Sequence, residues 1–411
     1  MREIKKSVFA IMFFIMLFFM PYFSLKASIN SKISIRLFAS LNVESLEITS
    51  VSQKGAMISS SAGQSSDLPS GLKVNISREA GEMRLSFGNR SLKTQNCVFS
   101  PVKENGSYFL ISTDSIRGRL YSGNIIVSIP AGKSGLRIEN VWNLEGFVEQ
   151  FLLSEFGNLD YPEALNAVGA AIRTYLFSNR GRHKNDGYDF CDTTHCQAFK
   201  GWNNDNAAYV DKIRSSFEKM TALSKGMVLT YNGKVIEGYY HGCCGGRLTT
   251  PDVIWGGKSD FPYRSAKSPF CEKSRFFRWE REIGREDFSR IFGFKSEKMN
   301  LETVRNTSDK NFVQSIILSD GEKRKELNIT DFRRTIADAA GWNKVLSHSF
   351  DIELTPQKVI FRGNGFGHSI GLCEACALEM GRKGYSWRNI LDFFYYQAEI
   401  TPIDKLQSGS K

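Results

Sequence analysis

An interrupted helical stripe is the feature of this chain that most constrains its fold. Apolar residues recur with the spacing of one helix face, at Leu144, Phe147, Val148, Phe151 and Leu152. This spacing predicts a helix packed against a core. The next position on the same face is Glu155. Because a carboxylate among apolar side chains is costly unless it is paired or functional, Glu155 is a candidate catalytic residue. The alternative is a surface glutamate near a helix end.

A second helix is predicted to follow directly. Asp160 can cap it, Pro162 falls in its first turn, and Glu163 stands three residues after Asp160, as in a capping box. Glu163 is therefore expected to be structural, and it is the second choice for a catalytic carboxylate. The alanines around Gly169 give this helix a small-residue surface that another element can approach closely.

Two cysteines and two histidines follow this helix, at His183, Cys191, His195 and Cys196. Two thiolates and two imidazoles are a suitable ligand set for tetrahedral zinc. Four protein ligands leave no open coordination position, so we expect a structural zinc ion. The alternative is a disulfide between Cys191 and Cys196 in an oxidising compartment.

Three motifs in this order resemble the stage II sporulation protein D and amidase enhancer family. They read SEF…EALNAVGAAIRTY with YDFCDTTHCQAFKGW, then YYHGCCGGRLTTPDVIWGG, then FRGNGFGHSIGLCEACALEMGRKGYSWRNIL. Three ordered motifs are far more specific than one. The resemblance implies an α+β protein whose mixed α/β catalytic region holds a glycan cleft. It also implies a lytic transglycosylase that cleaves peptidoglycan glycan strands, a carbon–oxygen lyase.

The resemblance assigns the catalytic role to Glu155. The family's Ser-Glu-Met-Pro motif reads Ser154-Glu155-Phe156-Gly157 here. In a lytic transglycosylase one glutamate protonates the leaving oxygen and then acts as base on the sugar's own hydroxyl, whereas hydrolases usually need a second carboxylate. Some family members hold zinc in the Cys/His loop. Others are described as amidase enhancers, so a non-catalytic wall-binding activator of an amidase is the main alternative. A zinc hydrolase, or a cysteine peptidase using Cys243 and His241, is less favoured.

The two later motifs supply glycine-rich loops for substrate. The expected substrate-binding residues are His241, Gly245, Gly246, Arg247, His368 and Glu374. The family's Ser-Thr-Ser is Gly242-Cys243-Cys244 here, and its Met-Ser-Gln-Trp-Gly is Leu372-Cys373-Glu374-Ala375-Cys376. If these loops face each other, their cysteines could form a disulfide or a second metal site, or they could alter substrate choice.

The remaining signals concern location and domain organisation. Arg2, Lys5 and Lys6 precede an apolar run from Val8 to Leu25, which predicts a signal anchor over residues 1–27, or a signal peptide if it is cleaved. Either would place the protein in the cell envelope, anchored to the membrane or secreted. Residues 28–140 are predicted to form a β-rich domain with a loop over residues 59–70, followed by the catalytic region (141–402) and a tail (403–411).

Charge and local turn signals complete the predictions. The formal net charge of +11 suits an anionic partner such as the cell wall or lipid headgroups, and no nucleic-acid signature accompanies it. Residues 207–226 are predicted to be helical. Met227 to Tyr240 should form a hairpin that turns at Asn232-Gly233.

Overall fold

A computed structural model describes residues 32–52, 54–103, 106–157, 159–202 and 206–406. The described chain is an α+β protein, as expected, with strands concentrated before residue 144. The segment 1–27 lies outside the described residues. Among the described residues, no helix combines the length and the apolar character that crossing a bilayer requires.

The strands and helices have the following bounds. The strands of the first part are β1 Lys32–Leu37, β2 Ser45–Ser52, β3 Ala56–Ser60, β4 Ser65–Leu68, β5 Lys73–Glu79, β6 Glu82–Phe87, β7 Arg90–Thr94, β8 Asn96–Pro101, β9 Ser107–Thr113, β10 Arg119–Tyr121, β11 Asn124–Ser128 and β12 Arg137–Asn143. The later strands are β13 Phe190–Cys191, β14 Met227–Tyr231, β15 Lys234–Val235, β16 Tyr240–His241, β17 Arg247–Leu248, β18 Ala266–Lys267, β19 Arg278–Gly284, β20 Asn300–Arg305, β21 Val313–Ser319, β22 Arg324–Asn328, β23 Ser349–Leu354, β24 Lys358–Asn364, β25 Leu372–Cys373 and β26 Glu399–Pro402. The described α-helices are α1 Leu144–Phe156, α2 Pro162–Ser178, α3 Ala207–Met220, α4 Pro251–Trp255, α5 Arg285–Phe292, α6 Ile329–Ala340, α7 Glu374–Arg382 and α8 Trp387–Phe394.

The first part of the chain forms two sheets. One has the strand order β13-β1-β12-β11-β8-β3-β4 and the other β10-β9-β2-β5-β6-β7. Buried and exposed side chains alternate along strands such as β5, so the apolar faces form a core. The predicted loop over residues 59–70 is wrong in part, because Ser65–Leu68 forms β4 and pairs antiparallel with β3. Leu68 is buried, so the packing of its side chain holds this mostly polar stretch at the edge of the sheet.

The predicted stripe of α1 is confirmed, since each of its five apolar side chains is buried. The predicted capping box of α2 is wrong. Tyr161 is the N-cap and makes no side-chain cap bond. The Glu163 carboxylate instead accepts a hydrogen bond of 2.6 Å from the backbone N–H of Trp387, at the start of α8. Glu163 therefore caps a different helix, over 200 residues away in the chain.

Close packing and one buried ion pair fix α1 against α2. A Cβ placed at Gly169 would lie 3.3 Å from the Leu152 side chain, so the small-residue surface of α2 admits α1 at short range. Arg173 of α2 is almost fully buried and binds both carboxylate oxygens of Glu145, at 2.5 and 2.7 Å. Such a bidentate pair sets geometry as well as charge. The orientation of α1, and with it that of Glu155, is thus fixed.

The described chain contains two cores. The larger one joins both sheets of the first part to α1, α2, α7 and α8. The smaller lies between Trp279 and Phe361 and includes side chains of α5, α6 and the strands β19, β21, β23 and β24. Residues 207–220 are helical, as predicted, and the helix stops six residues before the predicted end.

The predicted hairpin is confirmed only over its first half. Strands β14 and β15 pair around Asn232 and Gly233, both of which have positive φ angles, as a two-residue hairpin turn requires. Pairing ends at Val235. Strand β16 instead runs parallel to β25, with His241 opposite Cys373. This pairing brings the two glycine-rich loops of the sequence together.

Candidate functional site

Glu155 lies in the last turn of α1, where the helix leaves the core. Unlike the other residues on its stripe, it is exposed. The surrounding protein still removes enough water to raise the pKa of its carboxyl group, and the nearby charge of Lys200 partly opposes that rise. The carboxyl group is therefore accessible to a ligand and also tends to remain protonated. A general acid needs both properties.

A second carboxyl group lies near Glu155. Glu374 is the first residue of α7, and burial, followed by repulsion from Glu155, raises its pKa to about 8. The phenol of Tyr240 lies near both glutamates. Burial is the main cause of its raised pKa, and the charges of Glu374 and Glu155 add to the rise. At neutral pH Glu374 is thus mostly a neutral acid with one donor and one acceptor. A glutamine side chain has the same pair of functions, and glutamine is what the resembled motif has at this position.

The two glycine-rich loops abut through their backbones. The N–H groups of Cys243 and Phe366 each donate to the other residue's carbonyl, at 3.0 and 2.7 Å. Gly245 has a φ of 61°, and a Cβ there would lie 2.6 Å from the backbone nitrogen of Gly365. Only glycine fits this contact. Gly245 is therefore explained by loop packing, and Gly246, which also has a positive φ angle, lies against Phe277.

His241 and His368 lie side by side, with ring centroids 5.4 Å apart. The His368 Nδ1 accepts a hydrogen bond of 3.1 Å from the N–H of Ile370. Burial, followed by the charges of His241 and Arg333, lowers the pKa of His368 well below its usual value, so its proton is on Nε2. His241 Nδ1 lies 3.1 Å from the carbonyl of Ile370, while its buried Nε2 has no protein partner among the described residues. The ring N–H of His368 is directed to the backbone of Tyr240, so the loop backbone holds both histidines.

Two exposed tryptophans flank these groups, and neither was predicted from the sequence as a site residue. Trp255, at the end of α4, lies 5.2 Å from the His368 ring. Trp342, after α6, lies 5.7 Å from the ring of Phe366 and under the ammonium group of Lys200. Their side chains are 43% and 48% exposed, whereas tryptophan is highly buried on average. In the sequence, each tryptophan stands next to a glycine that favours a turn. This pattern is too common to identify a binding residue by itself.

An ion pair fixes the guanidinium group of Arg247 in place. Its Nε lies 2.7 Å from the Asp309 carboxylate, which is buried. This pair connects β17 to the segment between β20 and β21. Arg247 remains partly exposed and can still meet a ligand, but its guanidinium group is already oriented.

The predicted Cys/His cluster is assembled in the structure. One ligand atom from each of His183, Cys191, His195 and Cys196 lies within 4.8 Å of the others. The Cys196 sulfur is 3.3 Å from His183 Nε2 and 3.4 Å from His195 Nδ1. Asp186 lies 3.5 Å from the other ring nitrogen of His183, which is the usual outer partner of a metal-binding histidine. A tetrahedral ion fits this donor set.

Comparison with known proteins shows what part of the chain is similar to. Residues 132–231, which include α1, α2 and the Cys/His loop, match the family model described as SpoIID, stage II sporulation protein. Together with the three ordered motifs, this match makes the chain similar to the stage II sporulation protein D and amidase enhancer family. Members of this family are linked to cell-wall breakdown, and the matched region contains Glu155.

Similar proteins share about a quarter of the aligned residues with the chain. Stage II sporulation protein D of Bacillus subtilis is 25% identical over 288 residues, 68% of this chain and 80% of the relative. An uncharacterized protein of Brachyspira hyodysenteriae is 25% identical over 298 residues, 71% of this chain and 75% of the relative. The amidase enhancer of Bacillus subtilis is 22% identical over 286 residues, 58% of this chain and 38% of that longer protein.

Proposed function

We propose that this protein is a peptidoglycan lytic transglycosylase in which Glu155 acts first as acid and then as base. The observation that carries the proposal is the exposed carboxyl group of Glu155 with its raised pKa, at the end of an otherwise buried helical stripe. Protonated Glu155 would donate to the oxygen of the glycosidic bond. The resulting carboxylate would then take the proton from the sugar's own hydroxyl as the anhydro ring closes.

The groups around Glu155 support a sugar substrate. Neutral Glu374 can donate a hydrogen bond to a hydroxyl or acetamido oxygen. Exposed Trp255 and Trp342 offer flat apolar faces of the kind that stack on sugar rings. Lys200 would stabilise the Glu155 carboxylate once the proton has left.

Exchange of one carboxyl group for an amide tests the chemistry. Glu155→Gln keeps the shape of the side chain and removes the transferable proton, so release of anhydro-muramic products should fall by at least a factor of about 100. Glycan binding should be retained, because only transition-state stabilisation is lost. The measurement is mass spectrometry of purified glycan strands after incubation. Full activity in Glu155→Gln would refute the assignment.

Glu163→Gln is the matched control. The amide can still accept the hydrogen bond from Trp387, so this variant should keep its activity and change stability by at most about 1 kcal/mol. If it folds and yet loses activity, Glu163 is the catalytic carboxylate. Products with reducing ends in the wild-type protein would make it a hydrolase, with Glu374 as the second carboxyl group.

An amidase activator is the second candidate function, and the similarity to the amidase enhancer of Bacillus subtilis favours it. A protein that binds glycan, stimulates an amidase and releases no glycan fragments would have this role. We also propose that His183, Cys191, His195 and Cys196 hold a structural zinc ion, and that residues 1–27 anchor the protein to the membrane, outside the cytoplasm.

A further inference from the structure

Four cysteines outside the Cys/His loop come together in the interior. The sulfur atoms of Cys244, Cys271, Cys373 and Cys376 all lie within 4.8 Å of one another. Each of the four side chains is buried. We call this group the four-cysteine cluster. Cys271 was not among the residues that the motifs single out, because its partners are 27 or more residues away in the chain.

The four sulfurs come from three separate segments. Cys244 lies in the first glycine-rich loop, Cys271 ends the 3-10 turn Pro269–Cys271, and Cys373 and Cys376 flank the start of α7. The Cys244 sulfur is 3.4 Å from that of Cys271 and 3.7 Å from that of Cys376. Four thiolates at about 2.3 Å from a tetrahedral zinc ion are about 3.8 Å apart, so one ion fits between these sulfurs.

Hydrogen-bond donors already point at the sulfurs. The Cys373 sulfur accepts from the backbone N–H of Cys244 at 3.2 Å and from that of Cys376 at 3.4 Å. The hydroxyl group of Ser268 is 3.2 Å from the Cys376 sulfur. Cys373 is the N-cap of α7, where the helix dipole also favours negative charge. Thiolate is the form that these donors stabilise, and it is the form that binds metal.

We propose that the four-cysteine cluster binds a second structural zinc ion. One Zn²⁺ would replace the thiol protons of four cysteines, leaving a site with a net charge of −2 and no open coordination position. No oxidant or reductant is needed. The ion would clamp the first glycine-rich loop and the turn at Cys271 to α7, and so fix His241 on β16 and Glu374 on α7 relative to each other. This inference does not depend on the proposed catalytic activity.

The two zinc sites must be counted separately. In a Cys191→Ser, Cys196→Ser background the protein should retain one zinc ion per chain, and adding Cys271→Ser should remove it. Cys97→Ser is the matched control, because Cys97 is a buried free cysteine on β8 outside both clusters. It should leave the zinc content unchanged. Loss of zinc in Cys243→Ser with retention in Cys271→Ser would overturn the ligand assignment.

A measurement on the unaltered full chain covers the case in which these variants do not fold. Cobalt exchanged into the wild-type protein should give sulfur-to-metal charge-transfer absorption stronger than a site with two thiolates can account for. The denatured protein should have the mass of the fully reduced chain. A mass lower by four hydrogen atoms, with disulfides mapped within the cluster, would overturn the proposal, as would a full chain without metal at these cysteines or with iron instead of zinc.

Discussion

At the scale of single residues, Glu374 differs most from what its sequence position indicates. Its location at the start of a helix favours the charged form, yet burial and the neighbouring Glu155 raise its pKa to about 8. Desolvation and like-charge repulsion thus outweigh the helix dipole. The family motif marks Glu374 for substrate binding, but the sequence does not show that Glu374 lies beside Glu155, since the two are 219 positions apart.

This raised pKa predicts a pH-dependent stability. The folded protein binds the Glu374 proton more tightly than the unfolded chain does, so the stabilisation is complete below pH 4.5 and is lost as the pH rises through about 8. Glu374→Gln should therefore increase the free energy of unfolding at pH 8 by several kcal/mol (roughly 3 to 5) relative to wild type, and by much less at pH 5. Denaturant unfolding at both pH values measures this.

Glu379→Gln on the same helix is the control for this prediction. The pKa of Glu379 is lowered to about 2 by its hydrogen bond to Arg382, so removing its charge should give no such gain at pH 8. An equal difference between Glu374→Gln and wild type at both pH values would refute the account of Glu374.

At the scale of elements, the Cys/His loop connects the sheet to α1 and α2. Cys191 lies on β13, which pairs with β1, while the hydroxyl group of Tyr175 on α2 donates to the carbonyl of Cys196 at 2.8 Å. The same loop continues to Lys200, whose charge reaches Glu155. A metal ion in the loop would thus position Lys200 near Glu155 without taking part in the reaction itself.

Loss of that ion should be visible as loss of stability. Cys191→Ser should abolish zinc binding by the Cys/His loop and lower the melting temperature by several degrees, because metal binding is coupled to folding. Metal analysis and thermal unfolding, with Cys97→Ser measured alongside, check this. A mapped Cys191–Cys196 disulfide in a protein whose Cys/His loop holds no zinc would show that the loop is closed by a covalent bond instead.

Local pattern predicted the elements well where the pattern was strong. The stripe of α1 and the Asn-Gly hairpin depend on neighbours in the chain, and both were predictable. The cap of α2, the partner of Glu163, the fourth cysteine Cys271 and the exposed Trp342 depend on contacts across many residues. Periodicity and motif spacing carry no information on such contacts, so only the structure could supply them.

At the scale of the whole molecule, the β-rich part and the helices share one core. Strand β1 pairs with β12 on one side and with β13 of the Cys/His loop on the other. Asp192 accepts hydrogen bonds from the backbone N–H groups of Phe38 and Ala39, at 2.6 and 3.0 Å. The loop that we propose to hold zinc is thus built on the first strand of the chain that the structure describes.

This shared core predicts how the chain responds to truncation. A protein of residues 28–411 should fold with the melting temperature of the full chain and appear in the soluble fraction, because it loses only the proposed anchor. A protein of residues 141–411 should aggregate, since removing β1 and most of β12 uncovers apolar faces of α1 and leaves the backbone of β13 without its partner. Expression with fractionation and thermal unfolding of both proteins measures the difference. Cooperative unfolding of residues 141–411 with glycan cleavage retained would mean that the helical part folds alone, and that the sheets serve another purpose than completing its core.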